Sequence, residues 1–170
     1  MLLRAVTFAG GLAGAVGLSQ FPEFSQQYTQ RLAGAVDELS RFVAEFDADA
    51  AGQGFTRQDA LEDLRQGGQM GAARAQTMAR TLARHTRLSA DLAALREAGP
   101  FTRAYRARSF TDPEIVRATW GDFRPAMPLT FEGAVFAGFG FLGGLGLLGG
   151  LIAFIRLPFR RKPAQTAERV

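Results

Sequence analysis

The feature that most constrains this chain is a run of 23 residues, 133–155, reading GAVFAGFGFLGGLGLLGGLIAFI, in which no side chain carries a charge. As an α-helix rising ~1.5 Å per residue, the run reaches roughly 35 Å, enough to cross a hydrocarbon core of ~30 Å. A helix at a protein surface keeps one polar face; this one has none, so it belongs in lipid or in a protein interior. Its ends favour lipid. Thr130 is placed to cap the helix and Glu132 puts an acid in the first turn, where the helix dipole favours it. Arg156, Arg160, Arg161 and Lys162 follow the run at once, a stop-transfer and anionic-lipid signal. The pattern predicts a transmembrane helix over residues 129–157 and a basic tail over 158–170.

Residues 1–20 form a second apolar segment, interrupted only by Arg4 and the polar Thr7 before Ser19. Arg4 lies close enough to the end to extend to the headgroups. A retained transmembrane helix is one reading. The other is a signal peptide, with Ala13-Gly14-Ala15 as a small-x-small cleavage pattern. Apolar character continues beyond that point, which favours retention. Either way, the chain after residue 20 lies on one side of the membrane. Basic residues set which side. The outer flanks hold Arg4 and five basic tail residues, whereas residues 19–38 and 113–132 hold only Arg31, Arg117 and Arg124. The expectation is a bacterial inner-membrane protein with both termini cytoplasmic and the middle periplasmic.

Twelve of the 20 glycines fall within residues 10–17 and 133–150. Glycine costs helix propensity, so its benefit in a membrane helix is close backbone approach. Gly10 and Gly14, Ala13 and Gly17, Gly140 and Gly144, and Gly146 and Gly150 all have small-xxx-small spacing. These positions are candidates for helix packing. Two accounts stay open: the two helices of one chain pack together, or the glycines serve a homo-oligomer or a larger membrane complex.

The net charge of +4 does not belong to the middle segment: residues 20–128 hold 14 Arg and 14 acidic residues. The excess lies at the membrane flanks, so the basic isoelectric point does not point to nucleic acid, which requires cations clustered on a folded face. Within 21–128, Phe24, Tyr28, Leu32, Ala35, Leu39, Phe42 and Phe46 recur at steps of three and four, predicting an amphipathic helix over about residues 22–50. Pro22 suits its first turn, and Ala51-Gly52-Gln53-Gly54 stops it. Thr56 with Asp59 three residues on starts a second helix, expected to run to about Ala98 with a weak point at Gly67-Gly68-Gln69-Met70-Gly71. Its stripe is Leu61, Leu64, Met78, Leu82, His85, Leu88, Leu92 and Leu95. Thr111-Asp112-Pro113-Glu114 starts a short third helix whose apolar face is Ile115, Val116, Thr119 and Trp120. Trp120, Phe123 and Phe131 fall near the expected lipid–water interface, where aromatic rings favour the headgroup region. The fold class is therefore all-α: two transmembrane helices bracketing a long antiparallel helical hairpin and a short third helix, with a heptad-like, coiled-coil seam in the hairpin.

The residues of catalysis are sparse. No cysteine is present, which removes disulfides, thiolate metal sites and a cysteine nucleophile. The one histidine, His85, lies between Arg84 and Arg87, a setting hostile to a metal cation. None of the glycine pairs fits a phosphate loop, and the only lysine, Lys162, lies in the tail. Asp37-Glu38 and Glu45 to Asp49 resemble a solvated helix face without calcium-loop spacing. The expectation is no enzyme, no cofactor and no metal.

Two blocks have a recognisable look: Ser19-Gln20-Phe21-Pro22-Glu23-Phe24-Ser25-Gln26-Gln27-Tyr28 with Arg31-Leu32 and Gly34 to Leu39, and Ala118-Thr119-Trp120-Gly121-Asp122-Phe123-Arg124-Pro125-Ala126 with Pro128 to Gly133. They resemble a bacterial membrane family known as domain of unknown function 2937. The resemblance implies an inner-membrane protein with terminal membrane segments, and brings no reaction, cofactor or catalytic residue. The leading expectation is an accessory, scaffold or assembly component that meets lipid and either another membrane protein or itself. The alternative is a homo-oligomeric channel whose glycine-rich second span lines a pore, although neither span has an ionisable residue at its middle. A lipid or quinone between Phe-rich helices is neither supported nor excluded by the sequence.

Overall fold

A computed structural model describes residues 1–127 and 129–157, and among these every regular element is helical. Cα packing divides the chain into two units, Met1–Phe21 with the chain from Ala126 onward, and Pro22–Pro125.

The first unit is a pair of helices, α1 (Leu2–Ser19) and α7 (Phe131–Arg156). The helical stretches long and apolar enough to cross a membrane are Leu2–Gly52, which α1 opens, and Phe131–Arg156. The pair α1 and α7 runs antiparallel, because Gly10 lies against Gly144 and Leu148 whereas Gly14 lies against Gly140. Thr130 caps α7 by accepting from the Gly133 amide at 3.1 Å, and Glu132 sits in the first turn. Near the other end of α1, the Gln20 carboxamide holds the Ala126 backbone at both its amide and its carbonyl, each at 3.1 Å.

In the second unit α2 (Phe21–Gly52) continues the hairpin arm to Gly52, and the chain turns through Gly54 at φ +76°, a left-handed conformation suited to glycine. The return arm is two helices, α3 (Arg57–Gln66) and α4 (Gly68–Arg96), rather than the single helix expected over residues 56–98. The reason is local. Gly68 takes φ +78°, and a Cβ on Gly71 would collide with the Leu64 carbonyl oxygen, so the glycine patch permits a sharp break where other residues would continue the helix. Thr56 and Asp59 close a reciprocal capping box at the start of α3.

Ser40 Oγ lies 2.9 Å from His85 Nε2, bringing α2 and α4 side by side. Their core is Tyr28, Leu32 and Val36 against Leu88, Leu92 and Leu95, with Ile115 added from α6 (Pro113–Gly121). The buried face of α2 includes the seven-spaced line Thr29, Val36, Val43 and Ala50, beside the stripe carrying the larger residues. At the far end the seam therefore turns toward Val43 and Ala50, leaving Phe42 and Phe46 half-buried. Two elements lie where the sequence indicates only a loop: α5 (Pro100–Tyr105) and a 3₁₀ turn, Ala107–Ser109. Gly99-Pro100, which stops the preceding helix, also starts α5 with proline in its first turn.

Candidate functional site

On the α1–α7 pair, the glycines divide into two groups. A Cβ on Gly14 would fall inside van der Waals contact of the Gly140 carbonyl oxygen, and one on Gly140 would meet the Gly14 oxygen in the same way. Gly144 stands in that relation to the carbonyl of Gly10, while a Cβ on Gly10 would meet Leu148 Cδ2 at 2.6 Å. The backbones thus touch directly at Gly10, Gly14, Gly140 and Gly144. Gly11 joins them, its missing side chain replaced by Phe141 and Leu145. Phe8 and Phe141 meet edge to face at 5.6 Å. Gly17, Gly146 and Gly150 belong to the other group, with nothing among the described residues within 4 Å of their would-be side chains. The spacing motif fits all seven positions; only four of the seven serve this contact.

The surface of the pair is apolar where it faces away from the contact: Phe8, Leu12 and Val16 on α1 and Phe139, Leu142, Leu147 and Phe154 on α7 are exposed. Charge appears at the ends. Arg4 borders a groove of about 320 Å³ with Leu3, Thr7, Phe8 and Leu145, and Arg156 borders another of about 390 Å³ with Gly149, Ile152 and Ala153. Arg160, Arg161 and Lys162 lie outside the described residues. Phe131, at the start of α7, is exposed.

In the helical unit Pro22–Pro125, Trp120 and Phe123 build an aromatic corner with Phe24 of α2. Phe24 meets the two rings edge-on at 5.9 and 5.8 Å, and Trp120 and Phe123 lie nearly parallel at 6.3 Å. Trp120 remains 71% exposed, so it contributes little to the α6 core, which Ile115 and Thr119 supply. Asp122 pairs with Arg31 rather than with its neighbour Arg124, and the Arg124 carbonyl accepts from Gln27 Nε2 at 3.2 Å.

The strongest polar feature escaped the sequence analysis. Asp112, only 2% exposed, caps α6 by accepting from the Glu114 and Ile115 amides, and receives a forked pair of bonds from Arg84 of α4 at 3.0 and 3.2 Å. Arg84 also reaches Glu114, and Arg87 approaches Asp112 at 3.5 Å. Burial opposes ionisation of Asp112, but the Arg84 bonds and the two helix amides prevail and hold its carboxyl below the usual range. The capping role was visible locally; the pairing joins residues 28 apart and has no sequence signature. Beside it, Tyr28 is fully buried, and among the described residues its hydroxyl finds no hydrogen-bond partner of regular geometry. Burial pushes its ionisation upward. His85, half-buried, is occupied by Ser40, and among the described residues no group of three His, Asp or Glu is placed to hold a metal ion.

The profile of the family described as "Protein of unknown function (DUF2937)" matches residues 2–161. The chain belongs to that family. The matched span takes in both apolar helices and the whole hairpin between them. No curated protein and no solved structure matches the chain.

Proposed function

We propose that this chain is a non-enzymatic protein of the bacterial inner membrane, with both termini cytoplasmic and a periplasmic helical hairpin presented to another membrane protein. Its role is that of an accessory, scaffold or assembly component. One observation carries the membrane part of this reading. The helix pair α1–α7 turns Gly10, Gly14, Gly140 and Gly144 into the helix contact and leaves large apolar side chains exposed along both helices, from Phe8 to Val16 and from Phe139 to Phe154. Such a surface is costly in water and ordinary in hydrocarbon. The distribution of charge supports the orientation, with Arg4 and Arg156 at one end of the pair and Glu132 at the other.

Crosslinking in intact cells, followed by purification in mild detergent, tests the partner. A reproducible membrane-protein partner is the expected result. A strictly monomeric protein with no partner contradicts the scaffold reading. The homo-oligomeric channel draws its support from Gly146 and Gly150, which stand open on α7. A monomer by native mass, or no conductance in planar bilayers, removes it.

A further inference from the structure

We propose that the turn end of the hairpin holds a binding site for a small organic cation, an ammonium or guanidinium group on an apolar body. A groove of about 380 Å³ opens there between the end of α2, the short α3 and the start of α4. It exists because the return arm breaks. The glycine turn at Gly54 and the break at Gly68 set α3 off as a short separate helix, and the buried residues lining the groove, Ala50 and Ala60, are too small to fill the space. Phe42, Phe46, Leu64 and Met78 supply an apolar wall. The volume lies near the lower end of the roughly 300–1,000 Å³ typical of small-ligand sites, suited to a single ring or a short branched chain.

The polar lining specifies the charge. Glu45, Asp49 and Asp63 border the groove together with one cation, Arg74, for a net charge of −2. Among the described residues none of these four groups makes an ion pair or a hydrogen bond. Acids beside them that face elsewhere are tied down: Asp47 is held by Arg57 and Glu62 by Arg65. At this end of the hairpin, Glu45, Asp49 and Asp63 are thus unpaired carboxylates that border the apolar wall. An anion is repelled by this lining, and the carboxylates are not grouped as a metal site requires. A cation on an apolar body satisfies both parts, with its charge at the carboxylates and its body against Phe42 and Phe46. Every lining residue lies within Pro22–Pro125, so the inference does not depend on the membrane reading.

Calorimetric titration of the full-length protein in detergent tests it, with three probes that share a phenylethyl or phenylpropyl body: phenethylammonium, neutral 2-phenylethanol and 3-phenylpropionate. The expected result is saturable binding of phenethylammonium, about tenfold weaker binding of the alcohol and none of the carboxylate. The double variant Asp49→Asn/Asp63→Asn loses about tenfold in affinity for phenethylammonium. Glu38→Gln, whose side chain pairs with Arg41 away from the groove, leaves it unchanged. Both acids in the double variant are exposed, and an unchanged helical circular dichroism spectrum verifies that the fold is kept. Equal binding of the ammonium and the alcohol, no effect of the double variant, or no saturable binding overturns the proposal.

Discussion

Gly140→Ala and Gly146→Ala add the same methyl group to the same helix, and the account predicts opposite effects. On Gly146 the methyl meets nothing among the described residues within 4 Å, and the variant gains the helix propensity that separates alanine from glycine, about 0.8–1 kcal/mol. On Gly140 it enters the Gly14 carbonyl oxygen and stands 2.9 Å from Leu18 Cβ. The Gly14 carbonyl is helix backbone and cannot rotate aside, so the helices must separate along the line that also joins Gly10 to Gly144. Overpacking of this kind costs about 1–3 kcal/mol. The propensity gain is common to both variants, so their difference isolates the steric term: Gly140→Ala should be less stable than Gly146→Ala by about 1–3 kcal/mol. The chain has no cysteine, so dyes can be attached to cysteines introduced at Leu2 and Leu157, and energy transfer followed as sodium dodecyl sulfate is titrated into mild detergent. Gly140→Ala should lose energy transfer at lower dodecyl sulfate than the parent, and Gly146→Ala at an equal or higher fraction. If Gly146→Ala is the more damaging, the helices meet through the other face and the packing argument fails.

Asp112→Ala removes two amide caps and the forked Arg84 bonds from a buried position, and should lower the stability of the helical unit by about 2–3 kcal/mol, read as a drop in thermal midpoint. Asp112→Asn keeps the capping oxygen and should recover about 1 kcal/mol of this. Because the folded carboxyl of Asp112 is held below its ordinary value, the stability it contributes is present above the unfolded value of about 3.9 and is lost as pH falls through the folded value. Thermal midpoints from pH 6 down to 2 should therefore fall, and fall less in Asp112→Asn. Tyr28→Phe removes a buried hydroxyl without a regular partner among the described residues, and should leave the midpoint within about 0.5 kcal/mol of the parent or raise it. A loss above about 2 kcal/mol would show that the hydroxyl is satisfied in solution.

What the sequence discloses about this fold is what short-range chemistry decides. Thr56 with Asp59, Asp112 with Pro113, and Thr130 each act on amides within three residues, so their helix starts are visible in a few letters. The α2 seam was legible in part. The large residues Phe24, Tyr28 and Leu32 advertise one line of the buried face, but Thr29, Val36, Val43 and Ala50 form the other and are too small and mixed to stand out. Gly99-Pro100 is a stop and a start at once, and α5 begins there without a side-chain cap to mark it. The break at Gly67–Gly68 was foreshadowed as a weak point, but its sharpness depends on a left-handed φ that glycine permits without requiring. Distance in sequence defeats the rest. Nothing in the spacing tells that Arg84 meets Asp112, that Gly14 rather than Gly17 meets Gly140, or that Asp49 and Asp63 border one groove.

The central claim, two membrane-crossing helices with the hairpin on the outer side, is tested most directly by labelling single cysteines in a chain that has none of its own. Ala44→Cys and Ala90→Cys place a thiol at exposed positions on α2 and α4, and Ala164→Cys places one in the basic tail. With a membrane-impermeant maleimide on cells whose outer membrane has been opened, Ala44→Cys and Ala90→Cys should react at once, and Ala164→Cys only after the inner membrane is broken. Immediate reaction of Ala164→Cys, or protection of the two hairpin positions until lysis, contradicts the account.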